Sequence, residues 1–324
     1  MRKWNEPFIA ILLGVVFPVM MFTMLLNKDR PAKEVIPATS DNVTTAPTVL
    51  SVNLEIPVLM EDGYVEVMEL DTYITGVVLK EMPASFESEA LMAQAVVART
   101  YTLKRNSSYK HKGAAICTDY SCCQAYCSEQ DYLENGGSAD DLQKVRSAVS
   151  ATENQVLMYN GQLIEATYFS CSGGMTEDAQ AVWGEDIPYL QAVESPGEEG
   201  AAHYTDTVHF PADEFSALLG QQLPGQPGTW IKEVTYTPGG GVDTIIIGER
   251  EYTGVEIRQM LGLRSTAFVI TAVGNTVTVT TKGFGHRVGM SQYGADAMAV
   301  NGAKYTEILN HYYPGTKLST WSNQ

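Results

Sequence analysis

A run of twenty uncharged residues near the N-terminus, from Pro7 to Leu26, constrains the fold more than any other feature of the sequence. A helix of this length spans roughly 30 Å at 1.5 Å per residue, enough to cross a bilayer. No small-x-small cleavage site follows, which favours a retained anchor over a removed signal peptide. Basic residues flank both ends of the run, so the positive-inside rule gives little indication of which end faces the cytoplasm. We expect residues 1–6 in the cytoplasm, a transmembrane helix at 7–26 and the large polar remainder outside.

The remainder of the chain divides into a linker and a globular part. Residues 27–55 are rich in Pro, Thr, Ser and Ala without a hydrophobic period, which is typical of a flexible linker. Beyond them, alternating stretches around turn residues predict antiparallel hairpins, and apolar residues at helical spacing predict helices, for example at 71–80 and 140–152. We expect an α+β extracytoplasmic catalytic domain at 56–324, with a second lobe or insertion at about 195–262 and two lobes lining a substrate groove.

The formal net charge of −17 limits the partners of the chain. Binding to DNA or RNA depends on Lys and Arg that neutralise phosphates, so no nucleic acid is expected as a partner. An acidic surface also provides no electrostatic steering toward an anionic polymer. An anionic substrate would therefore have to be held by a few local contacts.

The first candidate site surrounds Glu81, which ends a predicted helix just before Met82 and Pro83. A glutamate at a helix end is usually solvated or caps a neighbouring helix. Here Met82, Pro83 and Phe86 are apolar, and burial against such groups raises the pKa of a carboxyl toward the range that a general acid needs.

Two later segments combine glycines, hydroxyls and aromatic rings, one at 167–174 and the other at 283–295. The first segment, with the aromatic residues that follow at 182–190, suits a sugar groove, because sugars present both hydroxyl rims and flat C–H faces. Each segment also fits a plainer interpretation, a strand that ends in a turn or a buried turn with a structural histidine. The second segment is not a dinucleotide-binding fingerprint, because its glycine spacing differs and no βαβ unit surrounds it.

A short segment at 111–127 holds one histidine and four of the five cysteines. Thiolates and imidazole are good zinc ligands, and four of them complete a closed tetrahedral site. In an oxidising compartment the same cysteines could form disulfides instead. Cys122 and Cys123 would then pair with other cysteines, because a bridge between neighbours is strained. The residues alone leave zinc and disulfides open.

Taken in order, these segments resemble the stage II sporulation protein D family over roughly residues 50–317. The resemblance rests on Glu-Met-Pro followed by Ala-Gln-Ala-Val and Ala-Arg-Thr-Tyr, then Ser-Gly-Gly with Val-Trp-Gly, then Gly-Met-Ser-Gln-Tyr-Gly-Ala after a Gly-His loop. It implies Glu81 as the catalytic acid. It also implies a substrate groove lined by Gln94, Arg99, Tyr168, Ser172, Gly173 and Gln292. Arg287 stands where the family usually has glycine, so we expect the local backbone or the groove charge to differ.

The resemblance also implies a reaction and its setting. Family members cleave peptidoglycan glycan strands between N-acetylmuramic acid and N-acetylglucosamine, as lytic transglycosylases that leave 1,6-anhydro ends. They act during engulfment of a forespore, on strands that an amidase partner has stripped of stem peptides. The expected location is the cell membrane, with the catalytic domain between the mother-cell and forespore membranes.

A structural zinc ion is a further implication of the resemblance. Some relatives carry zinc in a His, Cys, His, Cys arrangement in the cysteine-rich loop. His111, Cys117, Cys122 and Cys123 look like that site, with cysteine in place of its second histidine. Cys127 is an alternate ligand.

Two other functions fit the same residues. A muramidase-type hydrolase would need a second carboxylate roughly 5 to 10 Å from the first. Its candidates are Glu87, Glu89, Asp178 and Glu185. A non-catalytic, glycan-binding scaffold that activates an amidase is the other possibility, although the complete motif around Glu81 favours an enzyme.

Overall fold

The structure is a computed structural model that describes residues 54–322. The predicted N-terminus at 1–6, the anchor at 7–26 and nearly all of the linker at 27–55 lie outside the described residues. Within residues 54–322, no helix combines the length and the apolar character needed to cross a bilayer.

Helices and mostly antiparallel sheets alternate along the described part, which confirms the α+β class. The helices are α1 (Leu70–Glu81), α2 (Ser88–Asn106), α3 (Glu129–Glu134), α4 (Ala139–Ala151), α5 (Ala179–Trp183), α6 (Ala212–Leu218), α7 (Gly254–Met260), α8 (Gln292–Val300) and α9 (Tyr305–Tyr312). A 3-10 helix covers Pro227–Thr229.

The strands form five small sheets among these residues. In chain order they are β1 (Glu55–Leu59), β2 (Val65–Glu69), β3 (Ile116–Cys117), β4 (Gln155–Tyr159), β5 (Gln162–Leu163), β6 (Tyr168–Phe169), β7 (Thr205–Pro211), β8 (Ile231–Tyr236), β9 (Val242–Ile247), β10 (Arg250–Thr253), β11 (Phe268–Val273), β12 (Thr276–Lys282), β13 (Met290–Ser291) and β14 (Lys317–Thr320). Their orders are β2-β1-β3, β14-β4-β5, β13-β6, β10-β9-β8 and β11-β12-β7.

The end of α1 follows from the proline two residues beyond it. Met82 precedes Pro83, and a residue before proline is pushed out of the helical conformation. Met82 accordingly has φ −124° and ψ 142°, which is extended. The helix predicted at 71–80 is confirmed to within one residue at each end, and Glu81 is its last residue.

β4 and β5 form a short hairpin around Asn160 and Gly161. β5 ends at Leu163, and the next strand starts only at Tyr168. That strand, β6, pairs in parallel with β13, so that Tyr168 lies opposite Met290. The pairing joins segments far apart in the sequence and brings Tyr168 close to the start of α8.

Buried apolar side chains form two separate cores. The first includes residues of α1, α2, α4, α8 and α9 and of the sheets beside them. The second runs from Ala212 to Val279 and includes α6, α7 and strands β9 to β12. It extends beyond the predicted boundary at 262, because β12 pairs with β7, with Val279 opposite Val208. Alternation along one strand does not reveal which distant strand it will pair with.

Arg99 lies in the first core, which corrects its predicted place along the groove. Its side chain is 1% exposed. The guanidinium donates to Asp71 Oδ1 at 3.0 Å and to the carbonyls of Thr152 and Val149 at 2.8 and 3.2 Å. Those carbonyls lie at the C-terminal end of α4, where unsatisfied acceptors and the helix dipole favour a cation. Arg99 therefore ties α1, α2 and α4 together.

We expect Arg99→Met to lower the free energy of unfolding by about 3 kcal/mol, because it leaves Asp71 and the α4 carbonyls without their donor. This is the lower end of the range for a buried pair, since the side chain of Asp71 is 31% exposed. Arg146→Met is the matched control, because Arg146 pairs with Glu129 at the surface, where such pairs contribute about 0–1 kcal/mol. Urea unfolding of both variants measures the difference. If Arg99→Met kept normal stability but lost glycan binding, the structural role would be contradicted and Arg99 would belong to the groove.

Candidate active site

A cavity of about 720 Å³ lies beside the end of α1. Five parts of the chain line it: the end of α1 with α2, the cysteine-rich loop, the region of β6, the Gly-His loop with the start of α8, and α7 of the second core. The lining residues are Glu81, Tyr101, Tyr120, Ser121, Cys122, Cys123, Ala125, Thr167, Tyr168, Phe169, Ser170, Arg258, Phe284, Gly285, His286 and Gln292. Of the predicted groove residues, Tyr168 and Gln292 lie here together with Glu81.

The carboxyl group of Glu81 is held from two sides. Its Oε1 accepts a hydrogen bond from the backbone N–H of Ala125 at 2.8 Å, and its Oε2 accepts one from Gln292 Nε2 at 3.4 Å. The hydroxyl of Tyr168 donates to Gln124 Oε1 at 3.1 Å, and its side chain lines the same cavity wall. These contacts fix the orientation of the carboxyl group at the cavity wall.

Burial raises the pKa of Glu81 above its ordinary value, because a carboxylate is poorly solvated in this position. The hydrogen bonds from Ala125 and Gln292 favour the ionised form and offset the rise in part. Burial also raises the pKa of Tyr168, so that its hydroxyl stays protonated. The site therefore holds a carboxyl group that keeps its proton at higher pH than an ordinary glutamate.

Among the described residues, Glu81 is the one carboxylate on the cavity wall. The four candidates for a second carboxylate lie elsewhere. Glu89 accepts from Lys304 Nζ at 3.0 Å and from the backbone N–H of Tyr305 at 2.9 Å. Asp178 caps α5 through the N–H of Ala181 at 2.7 Å. The others, Glu87 and Glu185, are exposed outside the cavity.

Ser172, which is buried, and Gly173, which is partly exposed, surround a carboxylate that sequence reasoning missed, Glu198. Its Oε2 accepts from Ser172 Oγ at 2.7 Å and from the N–H groups of Ser172 and Gly173, each at 2.9 Å. Its Oε1 accepts from the hydroxyls of Ser195 and Ser291. Ser172 and Gly173 are therefore not lining residues, which corrects the prediction. They join the loop after β6 to the start of α8.

Gly173 has a specific steric role in that junction. Its φ is +80°, and an added Cβ would lie 2.9 Å from the backbone nitrogen of Gly283. A side chain would therefore strain the turn and separate the two glycine-containing segments.

Gln94 is also fully buried and does not line the cavity. Its side-chain oxygen and nitrogen have no hydrogen-bond partner among the residues described. The structure thus separates Gln94 from Glu81 and Gln292, with which it was predicted to share a groove.

Arg287 adopts a glycine-like backbone conformation and does not add its charge to the cavity. Its φ is +67°, in the left-handed region that favours glycine. Its buried guanidinium pairs with Glu177 at 3.2 Å and donates to the carbonyls of Ser172 and Gly239 at 2.7 and 2.6 Å. The expected change of groove charge is therefore wrong, since Arg287 does not line the cavity, and the expected change of backbone stays a prediction.

The cysteine-rich loop gathers the four predicted zinc ligands. One ligand atom from each of His111, Cys117, Cys122 and Cys123 lies within 4.8 Å of all the others. His111 Nε2 is 3.4 Å from Cys123 Sγ, and the Sγ atoms of Cys122 and Cys123 are 4.0 Å apart. A tetrahedral zinc with ordinary bond lengths needs separations of about 3.5–3.8 Å. The residues fit such an ion.

Cys127 does not belong to this group, because its Sγ contacts the carbonyl of Gly76 at 3.8 Å. It is therefore not positioned as the alternate ligand.

Three lining groups were not predicted as site residues from the sequence. The N–H of Ala125 belongs to the backbone and carries no residue signal. His286 was noted only as part of a motif. Burial, followed by the nearby charge of Arg258, lowers its pKa to about 4, so its imidazole is neutral near pH 7. Arg258 comes from a region without any recognised motif.

Comparison with known proteins matches the chain to sporulation proteins. A family model described as "Stage II sporulation protein" matches residues 61–159. Stage II sporulation protein D of Bacillus amyloliquefaciens is 41% identical over 280 residues, which cover 84% of this chain and 81% of the relative. The protein of the same name from Bacillus subtilis is 41% identical over 261 residues, or 79% and 76% of the two chains. A protein named "Amidase enhancer" from Bacillus subtilis is 29% identical over 301 residues, which cover 76% of this chain and 40% of the relative.

We expect Glu81 to titrate above its ordinary pKa of 4.5. When folding raises the pKa of an acid, protonation stabilises the fold, and this stabilisation is lost as the pH rises from the unfolded to the folded pKa. Glu81→Gln cannot ionise. The stability of the wild type relative to the variant should therefore fall as the pH rises through that range. Urea unfolding of both proteins between about pH 4 and about pH 8 measures this relative stability. If the wild type instead became more stable relative to the variant as the pH rises, the raised pKa would be contradicted.

Proposed function

This chain belongs to the stage II sporulation protein D family, and on that premise we propose that it is a lytic transglycosylase acting on peptide-stripped glycan strands of peptidoglycan. One observation carries the proposal. Among the described residues, the cavity presents a single carboxyl group, that of Glu81, with a raised pKa. A two-carboxylate hydrolase would need a second one nearby. A transglycosylase needs only one, because the same group acts first as acid and then as base.

In the first step Glu81 donates its proton to the oxygen between N-acetylmuramic acid and N-acetylglucosamine. The bond from the muramic C1 to this oxygen breaks, and N-acetylglucosamine leaves with a hydroxyl group. Positive charge develops on C1 and the ring oxygen of the muramic sugar. Partial desolvation supports this step, because it raises the pKa of Glu81 and so favours the protonated form.

In the second step the Glu81 carboxylate takes the proton of the muramic C6 hydroxyl. The C6 oxygen attacks C1 and closes a 1,6-anhydro ring, so no water is consumed and Glu81 regains its proton. The N–H of Ala125 and the amide of Gln292 stabilise the carboxylate between the two steps, since both donate to it. Neutral Tyr168 adds a hydroxyl beside the same group.

We propose a structural zinc ion held by His111, Cys117, Cys122 and Cys123. The mutual distances of the ligand atoms support it. The ion would brace the loop from which Ala125 donates to Glu81, and with four protein ligands it would have no open position for substrate.

The proposed setting is the outer face of a membrane, with residues 7–26 as the anchor and the cavity between the mother-cell and forespore membranes. Protease added from outside distinguishes this orientation from its reverse, because only the proposed one exposes residues 34–324. An amidase that removes stem peptides is the proposed partner.

A second candidate function is a scaffold that binds glycan and activates an amidase. The relative named "Amidase enhancer" favours it, since it matches 76% of this chain. A scaffold does not need an acid, so it should stimulate an amidase equally well with glutamine at position 81.

We expect Glu81→Gln to reduce cleavage of peptide-stripped glycans by at least roughly 10²- to 10⁴-fold, the usual contribution of a general acid, while glycan binding persists. Glu87→Gln is the matched control, because the same change is made at an exposed residue outside the cavity. Chromatography of the soluble products measures both. If Glu81→Gln still cleaved the glycans at the wild-type rate, Glu81 would not be the acid.

We expect one zinc per chain in the purified protein. Cys122→Ser should lose the metal and several kcal/mol of local folding energy, because an incomplete ligand set leaves the loop without its cross-link. Cys127→Ser should keep the metal, because its Sγ lies outside the ligand group. Elemental analysis provides the count. Absence of zinc together with mass shifts for two disulfides would refute the site.

A further inference from the structure

The second core contributes one residue to the cavity, Arg258 on α7. Arg258 is the one Lys or Arg side chain among the described lining residues. It lies near His286 on the wall, since its charge lowers the pKa of that histidine in addition to the larger effect of burial. The cavity therefore has a cationic group on a part of its wall that comes from a different core than Glu81.

Arg258 is held in place but not neutralised. Its Nε donates to the carbonyl of Leu263 at 3.3 Å. Within residues 54–322 no carboxylate lies within 4.0 Å of its guanidinium, whereas Arg99, Arg264 and Arg287 each pair with one. Arg258 is also partly desolvated, and burial alone lowers its pKa. A half-buried cation without a counter-ion is costly for a protein, and it suits a site that receives an anion from outside.

The proposed substrate offers one anionic group on each muramic sugar, the carboxyl of its lactyl ether. A stem peptide converts that carboxyl into a neutral amide. Removal of the peptide exposes a carboxylate, which matches the planar donor geometry of a guanidinium. With a net charge of −17, the chain offers no general attraction for this anion. A local arginine would supply it.

We propose that Arg258 binds the free lactyl carboxylate and thereby makes the site selective for glycan strands without stem peptides. This inference rests on the proposed function for the identity of the glycan. It assigns the second core a role in substrate selection, distinct from the chemistry of Glu81. Arg258 is a specificity-determining residue in this account.

The experiment measures binding without turnover, using full-length protein in detergent that carries Glu81→Gln. Two probes are compared: a peptide-stripped muramic glycan, and the same glycan with its lactyl carboxyls converted to methyl amides. We expect the free acid to bind about 10- to 100-fold more tightly, the range for a charge-assisted hydrogen bond. Arg258→Ala should weaken binding of the free acid to the level of the amide and leave amide binding unchanged. Arg258→Lys should restore part of the selectivity.

Arg250→Ala is the matched control. It makes the same change of charge in the same core, but Arg250 is exposed, stacks on Tyr252 and does not line the cavity. It should keep the full preference for the free acid. Equal weakening of both probes by Arg258→Ala would mean that Arg258 only supports the wall. A preference that survives Arg258→Ala would also overturn the proposal.

Failure of the proposed function would look different. A wild-type protein that binds the free acid selectively through Arg258 but does not cleave it would refute the transglycosylase and leave the Arg258 site intact. Cleavage by the wild type, together with unchanged selectivity in Arg258→Ala, would refute the Arg258 site and leave the transglycosylase intact.

Discussion

The buried carboxylate of Glu198 is the contact on which the arrangement of the cavity depends. It receives hydroxyl and N–H donors from the loop after β6 and from the residue just before α8. β6 carries Tyr168 and α8 begins with Gln292, the two side chains that meet at Glu81. An ionised acceptor surrounded by this many donors is strongly favoured, and loss of the carboxylate would leave buried donors without partners. Ser172, Gly173 and Ser291 thus hold these two segments together and do not line the cavity.

The accuracy of the sequence predictions depended on how local the underlying contacts are. The end of α1 at Glu81 was predicted correctly, because a proline acts on the residues just before it. Four side chains of the short segment at 111–123 also lie together, while the zinc ion itself stays a prediction. Arg99 was wrongly placed in the groove, since its partners Asp71 and Thr152 are distant in sequence and a motif does not reveal burial. Arg258 was missed for the same reason, because only the tertiary fold brings α7 to the cavity.

The two cores supply different functional groups to the cavity. The first core supplies a carboxyl group whose protonated form is favoured by burial, and donors contact it that also stabilise the carboxylate. The second core supplies a cation without a counter-ion. The acid and the cation thus have separate supports, and neither neutralises the other in a fixed ion pair. In the proposed mechanism, chemistry at C1 and recognition of the lactyl group would therefore be independent properties of one site.

Cleavage of peptide-stripped glycans in water enriched in oxygen-18 tests the central claim most directly. In transglycosylation the C6 oxygen of the muramic sugar closes onto its own C1, so the oxygen of the solvent does not enter the product. The account predicts ends that are one water lighter than the hydrolysed sugar and free of the label. Reducing ends that carry the heavy oxygen would show that water attacks C1, and they would contradict a mechanism with Glu81 as the only carboxyl group.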